Sequence, residues 1–165
     1  MPHPTFQTIA LLVVAVGFFG LVLARTWPRM GRRRNVPLGV ALRAAQKKIE
    51  EAKTDADKAN ALCEAADACA LAFGRSEAAA AYYLRAMRLV PSSAEIVVRA
   101  VKGLEHRPRT LELLLWRALG ASADHPPSHE AIVAALHGLA RVYGARPRHA
   151  VRARAIETLL HVIEA

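Results

Sequence analysis

A long apolar run near the N-terminus constrains this chain more than any other feature. The run extends from Phe6 to Ala24, and no polar residue occurs in it after Ile9. A helix needs about 20 residues to cross the roughly 30 Å hydrocarbon core of a bilayer. Leu, Ile, Val and Phe near its centre favour insertion. The run therefore predicts a transmembrane helix at positions 6–24.

The residues on either side of this run predict its orientation. Positions 1–5 carry no Lys or Arg, whereas the linker at 25–37 is strongly basic. The predicted membrane-interface residues are Arg25, Trp27, Arg29, Arg32, Arg33 and Arg34. Basic flanks remain on the cytoplasmic side and attract anionic headgroups. We therefore expect a short extracytoplasmic N-terminus at 1–5 and a cytoplasmic chain from Arg25 onward. A cleaved signal peptide is disfavoured because its basic n-region is missing.

The placement of charge argues against a nucleic-acid partner. Of the net charge of +9, five units come from the arginines of positions 25–34, which include no acid. The rest of the chain is nearly balanced, and aromatic residues make up only 5% of the whole. A nucleic-acid-binding domain needs a clustered basic face. The charge pattern indicates contact with a lipid surface instead.

Positions 38–165 are predicted to form one all-helical domain. Apolar residues recur every three or four positions, and Ser, Thr, Gly and Pro punctuate the pattern where helices begin and end. The pattern predicts one helix at 38–53 followed by three hairpins at 60–91, 94–120 and 128–164. The last helix begins at Pro147, and its predicted apolar residues are Val151, Ala155, Ile156, Leu159, Leu160 and Ile163.

The helix that begins at Ser76 carries apolar residues on two faces. One face holds Ala79, Tyr82, Tyr83, Ala86 and Leu89, and the second holds Ala80, Leu84 and Met87. Only Ala81, Arg85 and Arg88 remain for water. A helix buried on two sides has neighbours on both, so the pattern indicates a stacked array of helices.

The segment 74–91 resembles the second half of a tetratricopeptide repeat. The family pattern of turn glycine, small residues, tyrosines, leucine and closing proline falls on Gly74, Ala79, Tyr82, Tyr83, Ala86, Leu89 and Pro91. Positions 60–73 depart from that pattern, with Cys63 at an aromatic position and Ala66-Asp67 at a Leu-Gly position. The resemblance implies a small α-solenoid of helical hairpins behind the transmembrane helix. An unrelated helical bundle is the alternative.

The resemblance also implies where a partner would bind. In the family, the first helix of each hairpin lines a concave groove. The corresponding residues here are Glu64, Ala68, Leu71, Glu95, Val98, Arg99, Lys102, Ala131, Ala134, Gly138 and Arg141. Members that hold a peptide carboxylate have Lys and Asn at the positions of Glu64 and Ala68, so that ligand class is disfavoured. Arg99, Lys102 and Arg141 would favour an acidic segment, unless they are simply solvated surface charges.

Patterns for catalysis, metal binding or cofactor binding are missing from the sequence. His125 and His129 are separated by two prolines, and His149 and His161 by three helical turns. Phosphate-binding glycine loops and nucleophile motifs do not occur. Cys63 and Cys69 point apart on one helix and fit two buried thiols in a reducing compartment. We expect no enzyme, no metal, no cofactor and no small-molecule substrate.

These observations favour a membrane-anchored adaptor or scaffold. A cytoplasmic helical domain on a single span would recruit or assemble a protein partner at the membrane. The alternative is a fixed structural subunit of a larger membrane complex. The Ala- and Arg-rich composition favours a bacterial inner membrane, with the mitochondrial outer membrane as the second possibility.

Overall fold

The computed structural model describes residues 36–72, 74–120 and 126–165. The predicted transmembrane helix at 6–24 and the membrane-interface residues between Arg25 and Arg34 lie outside the described residues, as does Phe73. Among the residues that are described, no helix combines the length and the apolar character needed to cross a bilayer. These residues form helices and turns without any strand, which confirms the all-α prediction for this part of the chain.

Seven α-helices follow one another in the described ranges, and all belong to one compact unit, Asn35–Ala165. They are α1 (Val36–Glu51), α2 (Asp55–Ala70), α3 (Ser76–Leu89), α4 (Ala94–Gly103), α5 (Pro108–Leu119), α6 (His129–Gly144) and α7 (Ala150–Glu164). A single turn of 3-10 helix, Pro147–His149, precedes α7. The predicted start at Pro147 is therefore a tighter turn that becomes α-helical at Ala150.

Side-chain caps fix two of the helix starts. The Thr54 hydroxyl accepts the Asp57 N–H at 3.1 Å and begins α2. The Ser128 hydroxyl accepts the Ala131 N–H at 3.2 Å and begins α6. Each cap satisfies one of the N–H groups that the first turn of a helix leaves without a partner. Pro108 stands at the first position of α5, where a missing N–H costs nothing.

The helices pack in sequence order as successive layers. The first helices of the hairpins contact one another, α2 with α4 and α4 with α6, and the second helices α3 and α5 also make contact. Helix α3 packs against α2, α4 and α5, while Ala81, Arg85 and Arg88 are exposed. This confirms that α3 is buried on two sides.

Small residues allow the close crossings in this core. Ala66, Ala79, Ala86 and Ala100 are fully buried where neighbouring helices meet, and Tyr83 fills the space between them. Of the other repeat-packing positions, Tyr82, Leu89 and Pro91 are half-buried, and Gly74 lies in the turn before α3. Gly74 has φ +76°, a left-handed conformation that residues with a Cβ rarely adopt.

Two details of the later helices go beyond what the sequence pattern predicted. Helix α4 ends at Gly103, which lies against the Tyr83 hydroxyl where a longer side chain has no room. In α7, Val151, Ala155 and Leu159 are exposed instead of buried. The buried residues are Ala153, Ile156 and Leu160. Helix α7 packs on α6 and the 3-10 turn, so only one of its two apolar faces is covered.

Candidate functional site

An open groove of about 910 Å³ lies between α4 and α6. We call it the α4–α6 groove. Its apolar residues are Val98, Val101, Val133, Ala134 and Gly138, and its polar residues are Lys102, Glu105, His129, Glu130, His137, Arg141 and Glu164. Binding sites commonly combine an apolar lining with a few polar groups in this way. The groove therefore has the size and composition of a site for part of a protein chain.

Gly138 determines how closely the two walls approach. A Cβ placed there would lie 2.8 Å from both Leu115 Cδ1 and Val101 Cγ2, which is closer than carbon atoms pack. The absence of a side chain lets α6 rest directly on α4 and α5. Gly138 thus permits the close contact of α6 with the side chains of Leu115 and Val101.

Two cations in the groove have no counter-ion among the described residues. Lys102 near the end of α4 and Arg141 near the end of α6 are both exposed, and neither forms an ion pair with any described residue. An exposed ammonium and guanidinium beside apolar surface can pair with carboxylates of a ligand. Both residues are among those that the resemblance assigned to a partner groove, and both line the α4–α6 groove.

The acidic residues of the groove already have local partners. Glu164 Oε1 lies 2.9 Å from His137 Nε2, and Glu105 Oε1 lies 3.4 Å from His106 Nε2. Glu130 is in the first turn of α6, where a backbone N–H and the Ser128 hydroxyl lower the pKa of its carboxyl. These carboxylates leave Lys102 and Arg141 available to a ligand.

Comparison of this chain with protein-family models, with curated proteins and with solved structures gives no match. The site is accordingly described by its own geometry.

Arg99, a third predicted groove cation, is instead part of an internal cluster. Its Nη2 and Nε lie 2.6 and 2.8 Å from Asp67 Oδ2. The buried Tyr83 hydroxyl donates to the other oxygen of the same carboxylate. The hydrogen bond that Arg99 donates to the Asp67 carboxylate raises the pKa of Arg99, so this charge is held firmly. The Asp67–Tyr83–Arg99 cluster joins α2, α3 and α4.

The predicted groove residues of the first hairpin lie elsewhere on the surface. Glu64 accepts a hydrogen bond from Lys48 at 2.6 Å, which ties α2 to α1. Ala68 is half-buried, and Leu71 is 91% exposed beyond the end of α2. Glu95, from the second hairpin, lines a smaller recess of about 210 Å³ between α2 and α4. Of the predicted groove residues, the structure brings together Val98, Lys102, Ala134, Gly138 and Arg141 in the α4–α6 groove, and Ala131 is buried. Glu64, Ala68, Leu71 and Glu95 do not line this groove.

A second polar cluster surrounds Tyr143, and no sequence pattern predicted it. Glu112 Oε1 accepts the Tyr143 hydroxyl at 3.0 Å, and Trp116 Nε1 donates to that hydroxyl at 2.9 Å. Arg146 and Arg152 lie 3.4 and 3.7 Å from the same carboxylate. The Glu112–Tyr143 cluster joins α5 to α6 and α7. The one sign of this cluster in the sequence was the acid Glu112 beside the apolar stripe of α5.

The cysteines are buried thiols, as the sequence predicted. Both are free and almost inaccessible to solvent. Burial raises the pKa of the Cys63 thiol to about 11, and the neighbouring Arg99 offsets only part of that effect. Burial also raises the pKa of Cys69. Within the described ranges, no three His, Cys, Asp or Glu side chains come together as metal ligands would.

Proposed function

We propose that this chain is a membrane-anchored adaptor. The helix at 6–24 would hold it in the bilayer, and a tetratricopeptide-like α-solenoid would present the α4–α6 groove to a protein partner in the cytoplasm. One observation carries this proposal: the groove joins an apolar floor to two cations that have no partner among the described residues.

The helix contacts support the solenoid part of the proposal. Contacts from α2 to α4 to α6 run along one row, and the contact of α3 with α5 belongs to a second row. Each hairpin of such an array buries its apolar surface against the next, so a continuous core passes through the stack. The observed core extends in this way from Ala59 in α2 to Leu160 in α7.

The chemistry of the groove favours an acidic amphipathic segment as ligand. Val98 and Val133 would contact apolar side chains, and Lys102 and Arg141 would pair with carboxylates. Helix α4 has 10 residues and is therefore about 15 Å long. A bound helix of about three turns would match that length and present apolar residues at the i, i+3 and i+4 positions.

The basic linker and the anchor support recruitment rather than free binding in solution. An anchor restricts the groove to a thin layer beside the bilayer and raises its effective concentration toward other membrane-bound proteins. The five arginines of positions 25–34 would add contacts with anionic headgroups. A groove of modest affinity is then sufficient to assemble a complex.

Photo-crosslinking in cells that express the full chain tests the groove. A photoreactive residue in place of Val98 is compared with one in place of Val40, because the two valines are 58% and 56% exposed on different helices. We expect a discrete adduct from position 98 alone. The double charge reversal Lys102→Glu and Arg141→Glu should remove the adduct, whereas Arg85→Glu on the exposed side of α3 should leave it unchanged.

Two outcomes would count against the proposal. Identical adducts from positions 98 and 40 would mean that the groove is not the binding surface. A reporter fused after Ala165 that is active only on the extracytoplasmic side would exclude recruitment in the cytoplasm.

A further inference from the structure

Helix α7 carries a second apolar face that no described helix covers. Val151 is 84% exposed, Val162 is 69% exposed, and Leu159 is half exposed. At 100° per residue, these positions and Ala155 lie along one side of the helix, opposite the buried Ala153, Ile156 and Leu160. An exposed apolar stripe of this kind on a stable helix indicates a contact surface.

An exposed tryptophan lies near the N-terminal end of α7. The Trp116 ring is 46% exposed, and its Nε1 donates to the Tyr143 hydroxyl. The guanidinium carbon of Arg152 lies 5.9 Å from the centre of the Tyr143 ring. Trp116 of α5 and the first turn of α7 thus meet at one tyrosine. We call the exposed stripe of Val151, Leu159 and Val162, together with Trp116 near the N-terminal end of α7, the outer apolar surface.

Basic residues border this surface. Arg148 and Arg154 are exposed, and neither forms an ion pair with a described residue. Arg152 is 63% exposed in its side chain although it reaches Glu112. The two acids of α7 lie elsewhere: Glu164 contacts His137 of α6, and Glu157 is two positions from Ala155 and so on the opposite side of the helix. The border is therefore positive.

The apolar stripe and its basic border together favour a bilayer surface over a second copy of the chain as the partner of this face. A second copy of the chain would bring the same arginines together across a two-fold axis, and like charges would repel. An anionic bilayer surface offers negative headgroups to Arg148 and Arg154 and an acyl boundary to the valines. Interfacial helices have this composition, and Trp prefers this depth. The predicted anchor at 6–24 would bring that surface within reach.

We propose that the outer apolar surface rests on the anionic face of the membrane that holds the chain. The inference rests on the proposed anchor, because tethering makes even weak adhesion effective. The α4–α6 groove is lined mainly by the first helices of the hairpins, whereas the outer apolar surface belongs to the second helices α5 and α7. Docking would hold the domain in one orientation with its groove accessible.

Tryptophan fluorescence of the full chain in proteoliposomes tests this orientation. The chain has two tryptophans, so the variant Trp27→Phe leaves Trp116 as the single emitter. Proteoliposomes of phosphatidylcholine alone are compared with ones that also contain phosphatidylglycerol. We expect brominated acyl chains to quench Trp116 at least twofold more strongly in the anionic vesicles. The pair Val151→Ser and Val162→Ser, or the pair Arg148→Gln and Arg154→Gln, should abolish that difference.

The control is Val40→Ser, which changes a similarly exposed valine on α1 and should leave the quenching of Trp116 unchanged. Circular dichroism checks that each variant is folded. Equal and weak quenching in both vesicle types would overturn the inference. It would also be overturned if a membrane protein were crosslinked to position 162 while Trp116 stayed unquenched, because a protein would then cover the surface. Vesicle flotation in alkaline carbonate reports the anchor separately, so failure of docking is distinguishable from failure of anchoring.

Discussion

Replacing Tyr83 by Phe tests the internal cluster with the removal of a single atom. The ring is fully buried between α2, α3 and α4, and Phe keeps its packing. Only the hydroxyl is lost, which donates to Asp67 and lies against Gly103. The change therefore isolates the hydrogen bond from the hydrophobic contribution of the ring.

The structure sets the expected size of the effect. A hydrogen bond to a charged group contributes about 1.5–3 kcal/mol. Asp67 is partly exposed and keeps Arg99 at 2.6 Å, so the lower end of that range applies, about 1.5 kcal/mol. A domain of roughly 130 residues unfolds with an entropy of about 0.27 kcal/mol/K. The melting temperature should accordingly fall by about 5 °C.

Thermal and urea unfolding of the full chain in detergent, followed by circular dichroism, measures this difference. Tyr82→Phe is the matched control, because the Tyr82 hydroxyl forms no hydrogen bond within the described residues and its ring is half-buried. It should change the free energy of unfolding by less than about 0.5 kcal/mol. If the two variants were equally stable, the cluster would contribute nothing and the reasoning would be refuted.

The Tyr83 hydroxyl should also make the stability of the fold decrease at alkaline pH. Burial, then the hydrogen bond to Asp67 and the charge of Asp67, raise the pKa of Tyr83 above its usual value of 10.0. Because the fold favours the neutral phenol, this contribution is fully present below pH 10 and is lost as the pH rises above it. Tyr83→Phe should reduce the slope of stability against pH in that range, and an unchanged slope would contradict the assignment.

Three further predictions concern the turn glycine, the thiols and the domain itself. Gly74→Ala should lower stability by about 1 kcal/mol because of its positive φ, whereas Gly39→Ala in α1, which meets open space, should raise it by up to about 1 kcal/mol, as measured by urea unfolding. Cys63 and Cys69 should react with a thiol reagent only after unfolding, and the stability held by the neutral Cys63 thiol should be lost between pH 9.0 and about 11. Sedimentation of a fragment spanning Asn35–Ala165 should show a soluble monomer; aggregation would favour a fixed subunit of a larger complex.

Much of the local structure could be predicted from the sequence, because it depends on interactions between residues that are close in the chain. Hydroxyl caps begin α2 and α6 at Thr54 and Ser128, because an oxygen there satisfies a first-turn N–H whatever the surroundings. The two apolar faces of α3 likewise required neighbours on both sides. Residues adjacent in sequence were enough to decide these features.

The ion-pair partners of charged residues could not be predicted from neighbouring residues in this way. Arg99 and Lys102 are three positions apart in α4, and periodicity places them on one side of the helix. Arg99 turns to Asp67 in α2, and Lys102 stays in the groove. Whether Arg99 faces the groove or the core thus depends on the carboxylate of Asp67, 32 positions earlier in the chain. Asp67 occupies a position where the family pattern has Leu-Gly, and that departure was the only local sign of it.

The two polar clusters explain how an alanine-rich core can specify one arrangement of helices. Alanine surfaces are small and smooth, so they allow close packing but distinguish poorly between alternative registers. Asp67 with Tyr83 and Arg99 joins α2, α3 and α4, and Glu112 with Tyr143 joins α5 to the last two helices. Each cluster requires its three helices in one register, because a shift would leave a partly buried carboxylate without its donors. The α4–α6 groove lies between a helix from each cluster, so its shape depends on both.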